Sequence, residues 1–235
     1  MNGFLTGRLW YIVPEGASIE RWGRKRESVL NIGVFGGSFD PVHYGHLLLA
    51  QQCLESAALD QVLFVPAAHS PLRPRGPIAD GKTRVEMLQL AIADHPQLAI
   101  STLELDRGEI SYTVDTLRAL KQAAPDDNFY LLMGLDSLLD FPRWREPHEI
   151  LRLARLLVVN RPAISGPTAA EAWQVLRGYA TEEQIDAIRS SLVDSQQFEF
   201  SSTDIRQRIG SGRGIRYRTP RAVEKYIETQ GLYRA

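Results

Sequence analysis

The sequence predicts an α/β fold, a doubly wound parallel sheet with crossover helices on both faces and further helices at the C-terminus. Two observations carry this. From Val29 onward, short apolar runs of strand length alternate with longer segments whose apolar residues recur every three or four positions. The short runs also stop at backbone punctuation, at Gly36-Gly37, Pro66, Gly134 and Arg161-Pro162, as buried parallel strands do when they hand over to a loop. With 235 residues, 44% of them apolar and 23% charged, the chain is long enough to bury one large domain of this class.

The elements follow in order. Val29–Phe35 reads as the first strand, and Tyr44–Ala58 as a helix with Leu47, Leu48, Ala50, Gln51 and Leu54 spacing its apolar face. Val62–Val65 is a second strand, followed by a Pro-rich loop from Ala67 to about Ala79. A helix over Lys82–Asp94, a strand over Leu98–Leu103, a helix over Asp115–Ala123 and a strand over Asn128–Met133 come next. Arg155–Asn160 is a fifth strand, then helices at Thr168–Arg177 and Glu182–Ser190 and a short strand at Gln197–Phe200. Helices over Thr203–Ile209 and Arg221–Gln230 close the chain, the last stopped by Gly231. Residues 1–28 differ: Arg21, Arg24, Lys25 and Arg26 crowd together without periodicity, so they read as an N-terminal extension peripheral to a domain over 29–235.

Composition narrows the function classes. No stretch approaches the roughly 18 apolar residues of a membrane span, and Leu9–Val13 is too short for a secretory signal. The single cysteine, Cys53, excludes an internal disulfide and suits a reducing compartment, so a cytoplasmic location is expected. Net charge is −1, which does not describe a generic polyanion binder. Ser201–Val223 nonetheless carries six arginines (206, 208, 213, 216, 218 and 221) against one acid, Asp204. A solvated surface is the ordinary reading for most of them, and no nucleic-acid partner is expected.

In α/β sheets, ligands sit beyond the carboxyl ends of strands, where strand order reverses. Beyond the first strand the chain reads Gly36-Gly37-Ser38-Phe39-Asp40-Pro41-Val42-His43-Tyr44-Gly45-His46. Paired glycines let backbone approach a ligand closely, and Asp40-Pro41 is a turn pair. A helix starting near His43–Gly45 points free amides and its positive dipole end at the loop, a seat for phosphate. His43 and His46, three apart, share one face of a first turn. Other readings stay open on these residues alone: the histidines can cap or pack a helix end, and Asp40, His43 and His46 can ligate a metal.

Near the C-terminus, Phe200-Ser201-Ser202-Thr203-Asp204-Ile205-Arg206 ends a strand and begins a helix. Ser201, Ser202 and Thr203 are helix-capping residues whose hydroxyls and amides can hold phosphate oxygens, and Arg206 lies one turn in, within reach of the same anion. The ordinary alternative is a capped helix with a surface arginine. Together the two segments resemble the HxGH and ISSTxIR motifs of the nucleotidyltransferase superfamily, with Phe200 standing where an aliphatic residue is usual. The resemblance implies a Rossmann-like fold, with ATP held by Gly36, Gly37, Ser38, Phe39, His43, His46, Ser201, Ser202, Thr203 and Arg206. It also implies that His43, His46 and Arg206 are catalytic.

Further stretches narrow the family. Ser111–Leu117, Met133–Leu138, Phe141–Trp144, Leu157–Pro162 and Tyr226–Tyr233 resemble bacterial nicotinate-nucleotide adenylyltransferases, so the resemblance runs from about Asn31 to Tyr233. It implies adenylyl transfer from ATP to nicotinate mononucleotide in NAD biosynthesis, giving nicotinate adenine dinucleotide and pyrophosphate. Thr113 and the backbone near Trp144 and Arg145 would hold the nicotinate carboxylate, Trp144 would stack on the pyridine ring, and Asp136 would bind ribose hydroxyls. The loop after the second strand departs from the family: Ser70-Pro71-Leu72-Arg73 replaces Pro-Pro-His-Lys, so Arg73 keeps the positive charge while Leu72 loses an imidazole. Mg²⁺ is expected with ATP as co-substrate, with no protein side chain as its ligand, and a homo-oligomer is compatible with the sequence.

Rival readings remain in view. Gly76–Thr83 spells the G-x-x-x-x-G-K-T pattern of a P-loop, but Pro71, Pro74 and Pro77 separate it from the last strand residue, Val65. A non-enzymatic module binding nucleotide or RNA through the arginine-rich end is a second rival. A sister enzyme acting on nicotinamide mononucleotide or phosphopantetheine is a third.

Overall fold

The computed structural model describes residues 11–12, 28–71, 76–160, 169–194 and 200–234. Its strands are β1 (Tyr11–Ile12), β2 (Asn31–Gly37), β3 (Gln61–Pro66), β4 (Leu98–Ser101), β5 (Asn128–Gly134), β6 (Arg155–Asn160) and β7 (Val193–Asp194). Its helices are α1 (Tyr44–Ser56), α2 (Gly81–Ile92), α3 (Leu103–Arg107), α4 (Thr113–Ala123), α5 (Leu135–Leu139), α6 (Pro147–Leu153), α7 (Ala169–Leu176), α8 (Glu182–Ser190), α9 (Ser202–Gly210) and α10 (Arg221–Gln230).

The strands form one sheet in the order β1-β4-β3-β2-β5-β6-β7, parallel throughout except for β1 at the edge. Connections leave β2 toward β3 and β4 on one side, then cross back to β5 and β6 on the other. The switch point therefore lies between β2 and β5, and the crevice beyond their carboxyl ends receives the loops after Gly37 and Gly134. Rossmann-like doubly wound topology is the outcome that the alternating pattern predicted.

Period-two alternation explains how one sheet supports two cores. Ile32, Val34, Leu63, Val65, Leu131, Met133, Leu156 and Val158 face a layer containing Leu117, Leu138, Ile150, Leu176 and Ile185. Phe35, Val62, Phe64, Leu132, Leu157 and Val159 face Leu49, Cys53, Met87, Leu88, Val223 and Ile227. Burial pushes the Cys53 thiol up to about 12, so it is a packing residue with an inert sulfur. Among the described residues, no helix is long and apolar enough to cross a membrane.

Several expectations shift. The strand expected over Leu98–Leu103 ends at Ser101, because Leu103–Arg107 turns into a short helix closed by left-handed Gly108 at φ 70°. α5 and α6 were not legible, being five and seven residues long, too short to display a helical period. The strand expected over Gln197–Phe200 falls mainly on residues outside those described; Phe200 is not in a strand, and Val193–Asp194 pairs with β6 instead. The extension expected to be peripheral supplies Tyr11 and Ile12 to the sheet edge, opposite Ser101 and Ile100.

Phe64 is fully buried in β3, with ring centroids 5.4 Å from Phe35 and 5.3 Å from Phe39. Phe64→Ala is expected to cost about 3–5 kcal/mol, as large-to-small core changes do. Urea unfolding would measure it, and a loss below ~1 kcal/mol would contradict this packing.

Candidate active site

The segment after β2 is shaped by what glycine omits. A Cβ on Gly36 would meet nothing within 4 Å, so this backbone borders open space at the carboxyl edge. A Cβ on Gly37 would lie 2.9 Å from the Phe39 ring, which is fully buried and cannot yield. Phe39 has φ 48°, a left-handed conformation rare for a residue with a side chain. Its ring meets Phe35 edge-on at 5.4 Å and His46 at 5.0 Å.

His43 is the N-cap of α1 and is 3% exposed, while His46 sits in the first turn. Their rings stack at 3.7 Å and 20°, so the shared face expected from their spacing is a stacked pair. The His43 amide donates to His46 Nδ1 at 3.2 Å. In the neutral ring this makes Nε2 the proton-bearing nitrogen, a donor suited to a phosphate oxygen. A Cβ on Gly45 would lie 3.1 Å from the His43 ring and 3.2 Å from Phe200 Cβ, so only glycine lets the two approach here.

The loop is fastened almost carbonyl by carbonyl. Gly37 O accepts from Ala67 N at 2.9 Å, Ser38 O from Arg84 at 2.8 Å and Asp40 O from Arg206 at 2.6 Å. Pro41 O accepts from the Ser202 hydroxyl at 2.9 Å, and Val42 O from the Thr219 hydroxyl at 2.8 Å. The buried Asp40 carboxylate accepts from Ile78 N (2.7 Å), Ala79 N (3.1 Å) and the Tyr233 hydroxyl (2.7 Å).

These bonds bring the two sequence motifs together. In α9, Ser201 is the N-cap, accepting from Asp204 N at 3.0 Å. The three hydroxyls expected to hold phosphate have internal work: Ser202 holds Pro41, and Thr203 accepts from Arg206 at 3.3 Å. What α9 offers an anion is therefore its N-terminal amides and the Arg206 head, which keeps 24% side-chain exposure. The other arginines of this region are largely paired, Arg218 with Asp204 at 2.8 Å, and Arg216 and Arg221 with buried Glu224 at 3.3 and 2.7 Å.

The residues expected to take the acceptor lie on the segments around Thr113, Asp136 and Trp144. Thr113 is its first residue, and Asp136 lies exposed in the first turn of α5, directly beyond β5. Trp144 packs against Phe141 at 5.8 Å, and its Nε1 is buried with no hydrogen-bond partner. The Arg145 guanidinium lies 4.8 Å over the Tyr112 ring and pairs with Asp115 at 3.5 Å and Glu146 at 3.6 Å, which puts it beside Thr113. Arg73 and Leu72 lie outside the described residues. The loop that carries them is anchored before it by Ala68 N to the Ser111 hydroxyl at 3.0 Å, and after it by Asp40.

Comparison with known proteins identifies the family. The cytidylyltransferase-like family profile matches residues 34–208. A Rhodopirellula baltica protein named probable nicotinate-nucleotide adenylyltransferase is 43% identical over 203 residues, covering 86% of this chain and 93% of its own. The chain belongs to the nicotinate-nucleotide adenylyltransferase family. A Thermus thermophilus member is 43% identical over 205 residues and is covered completely. The Plasmodium falciparum nicotinic acid mononucleotide adenylyltransferase complexed with NaAD shares the fold, with TM-score 0.64 at 19% identity over 87% of this chain and 97% of that one.

Family membership disposes of the P-loop rival, and the local structure says why. Asp80 caps α2, its carboxylate accepting from Thr83 N at 2.7 Å, and that amide holds it below the usual carboxylate range. The helix start that would receive a phosphate already holds a carboxylate. Lys82 points outward with 88% of its side chain exposed. A cleft of about 650 Å³ opens beside this helix, lined by His69, Asp80, Arg84, Glu86 and Asp106 among others, but it includes no residue of either motif. Sequence reasoning missed Arg84, Thr219 and the role of the Asp40 carboxylate, because each acts through backbone groups distant in sequence.

Gly37→Ala is expected to lower Tm by roughly 3–8 °C, an overpacking cost of about 1–3 kcal/mol. Gly36→Ala should leave Tm within about 2 °C. Thermal melting of the two variants checks this, and equal effects would contradict the asymmetry.

Proposed function

We propose that this chain transfers the adenylyl group of ATP to nicotinate mononucleotide, with residues 29–235 as the catalytic unit. The observation that carries the reading is the joining of the α1 and α9 starts, which bear the two motifs, through Arg206 on Asp40 O and Ser202 on Pro41 O. The relatives' names give the acceptor. A 5′-phosphate oxygen of nicotinate mononucleotide attacks the α-phosphorus in line, forming a new P–O bond. The bond from the α-phosphorus to the bridging oxygen breaks, and pyrophosphate leaves. That attacking oxygen is already ionised near neutral pH, so alignment and charge neutralisation are what the site supplies.

His43, His46 and Arg206 are assigned to the triphosphate, with the backbone of Gly36, Gly37, Ser38 and Phe39 beside it and the amides of Ser202 and Thr203 completing the seat. Asp40 does not suit a metal, since its two oxygens already serve three donors. Magnesium would therefore be held by the substrates' phosphates, with no side chain of this chain as ligand, and would supply charge neutralisation. Thr113 and the backbone at Trp144 and Arg145 are assigned to the nicotinate carboxylate, and Arg73 to the mononucleotide. The indole of Trp144 is assigned to the pyridine ring and Asp136 to ribose hydroxyls.

The test is pyrophosphate release from ATP and magnesium with nicotinate mononucleotide, nicotinamide mononucleotide or phosphopantetheine as acceptor. Fastest turnover with the nicotinate form is expected; preference for another acceptor, or no turnover, would refute the assignment. Loss of one preorganised contact costs about 10²–10³ in rate, so His46→Ala is expected to fall by at least that factor. Lys82→Ala, at the P-loop look-alike, is expected to stay within about twofold of the parent, and near-parental turnover of His46→Ala would sink the mechanism.

A further inference from the structure

We propose that Tyr233 and Arg84 are positioning residues that hold Phe39 in its left-handed conformation and thereby seat the His46 ring. The inference rests on the function proposed above.

Phe39 at φ 48° occupies a region that residues with a Cβ seldom adopt, and such a conformation persists where the surroundings over-determine it. Both neighbouring carbonyls are held. Arg84 donates to Ser38 O at 2.8 Å, which holds the peptide before Phe39, and Arg206 donates to Asp40 O at 2.6 Å, which holds the Asp40-Pro41 peptide one residue beyond it. The following residue is fixed again through its side chain, because Tyr233 donates to Asp40 Oδ1 at 2.7 Å while Ile78 and Ala79 amides hold the same carboxylate. Arg84 closes the frame by donating through Nε to Ala79 O at 3.2 Å. Ala79 thus gives its amide to Asp40 and its carbonyl to Arg84.

Arg84 is 2% exposed and Asp40 2%, so this is a buried frame under the loop and not a surface ion pair. Burial, followed by the hydrogen bond to Asp40, raises the Tyr233 pKa, so its hydroxyl stays a proton donor at any working pH. The output of the frame is the Phe39 ring, 5.0 Å from His46 and edge-on to it, beside the bond from His43 N to His46 Nδ1 that directs Nε2 outward. A change in the pitch of Phe39 moves the ring against which His46 rests.

Tyr233→Phe keeps the ring and removes one donor; Arg84→Lys keeps the charge and loses the two-carbonyl reach. With ATP and nicotinate mononucleotide, Tyr233→Phe is expected to lower kcat about tenfold with KM for ATP changed less than about threefold, the pattern of a contact made in the transition state. Arg84→Lys is expected to lower kcat further, so that charge alone does not rescue. Imidazole ¹⁵N spectra of the ligand-free protein give a second readout: the parent should show His46 as one neutral tautomer protonated at Nε2, and Tyr233→Phe a shifted or mixed signal. Parental kcat or a parental His46 spectrum in Tyr233→Phe overturns the proposal. Should Arg84→Lys fail to fold, Tyr233→Phe decides alone. An inactive parent would refute the function while the spectrum still decides the frame.

Discussion

Asp40 is the residue on which the rest of the site depends. Its carboxylate gathers two amides and a tyrosine hydroxyl, its carbonyl receives Arg206, and its neighbours' carbonyls receive Arg84 and Ser202. A buried carboxylate is costly unless its oxygens are satisfied, and here satisfying them fixes the loop. Three distant parts of the chain converge on it: the segment before α2, the start of α9 and the end that follows α10. The loop after β2 therefore keeps a strained residue, Phe39.

The fold supplies the place and the loop supplies the chemistry. Parallel pairing of β2 with β3 and β5 aligns the carboxyl ends of these strands, so Gly36-Gly37 and Gly134 open onto one crevice. The starts of α1 and α9 are joined there, by Ser202 on Pro41 O and Arg206 on Asp40 O. Three arginines of the C-terminal region are spent on Asp204 and Glu224, whereas Arg206 donates to Asp40 O in the loop after β2.

Sequence made the sheet legible because parallel strands are buried on both faces and read as uninterrupted apolar runs, as with Arg155–Asn160, where prediction and structure coincide. It made the two motifs legible because each is a local pattern: a glycine pair before a helix, and a capped helix with arginine one turn in. Short helices escaped, since five residues at Leu135–Leu139 show no period. The Asp40 frame escaped for a different reason. Its partners Ile78, Ala79, Arg206 and Tyr233 are 38 to 193 residues away, and no local pattern encodes that convergence. The same blindness made Gly76–Thr83 look like a phosphate loop, because letters do not show that Asp80 has taken the helix end.

The crevice beyond β2 and β5 and the cleft of about 650 Å³ beside α2 are the two candidate nucleotide sites among the described residues. A crystal structure with a non-hydrolysable ATP analogue separates them most directly. The α-phosphate is expected within hydrogen-bond distance of His46 Nε2 and of Arg206, with the nucleotide backed by Gly36-Gly37. A nucleotide lodged against Asp80, Arg84 and Asp106, with His43 and His46 untouched, would contradict it.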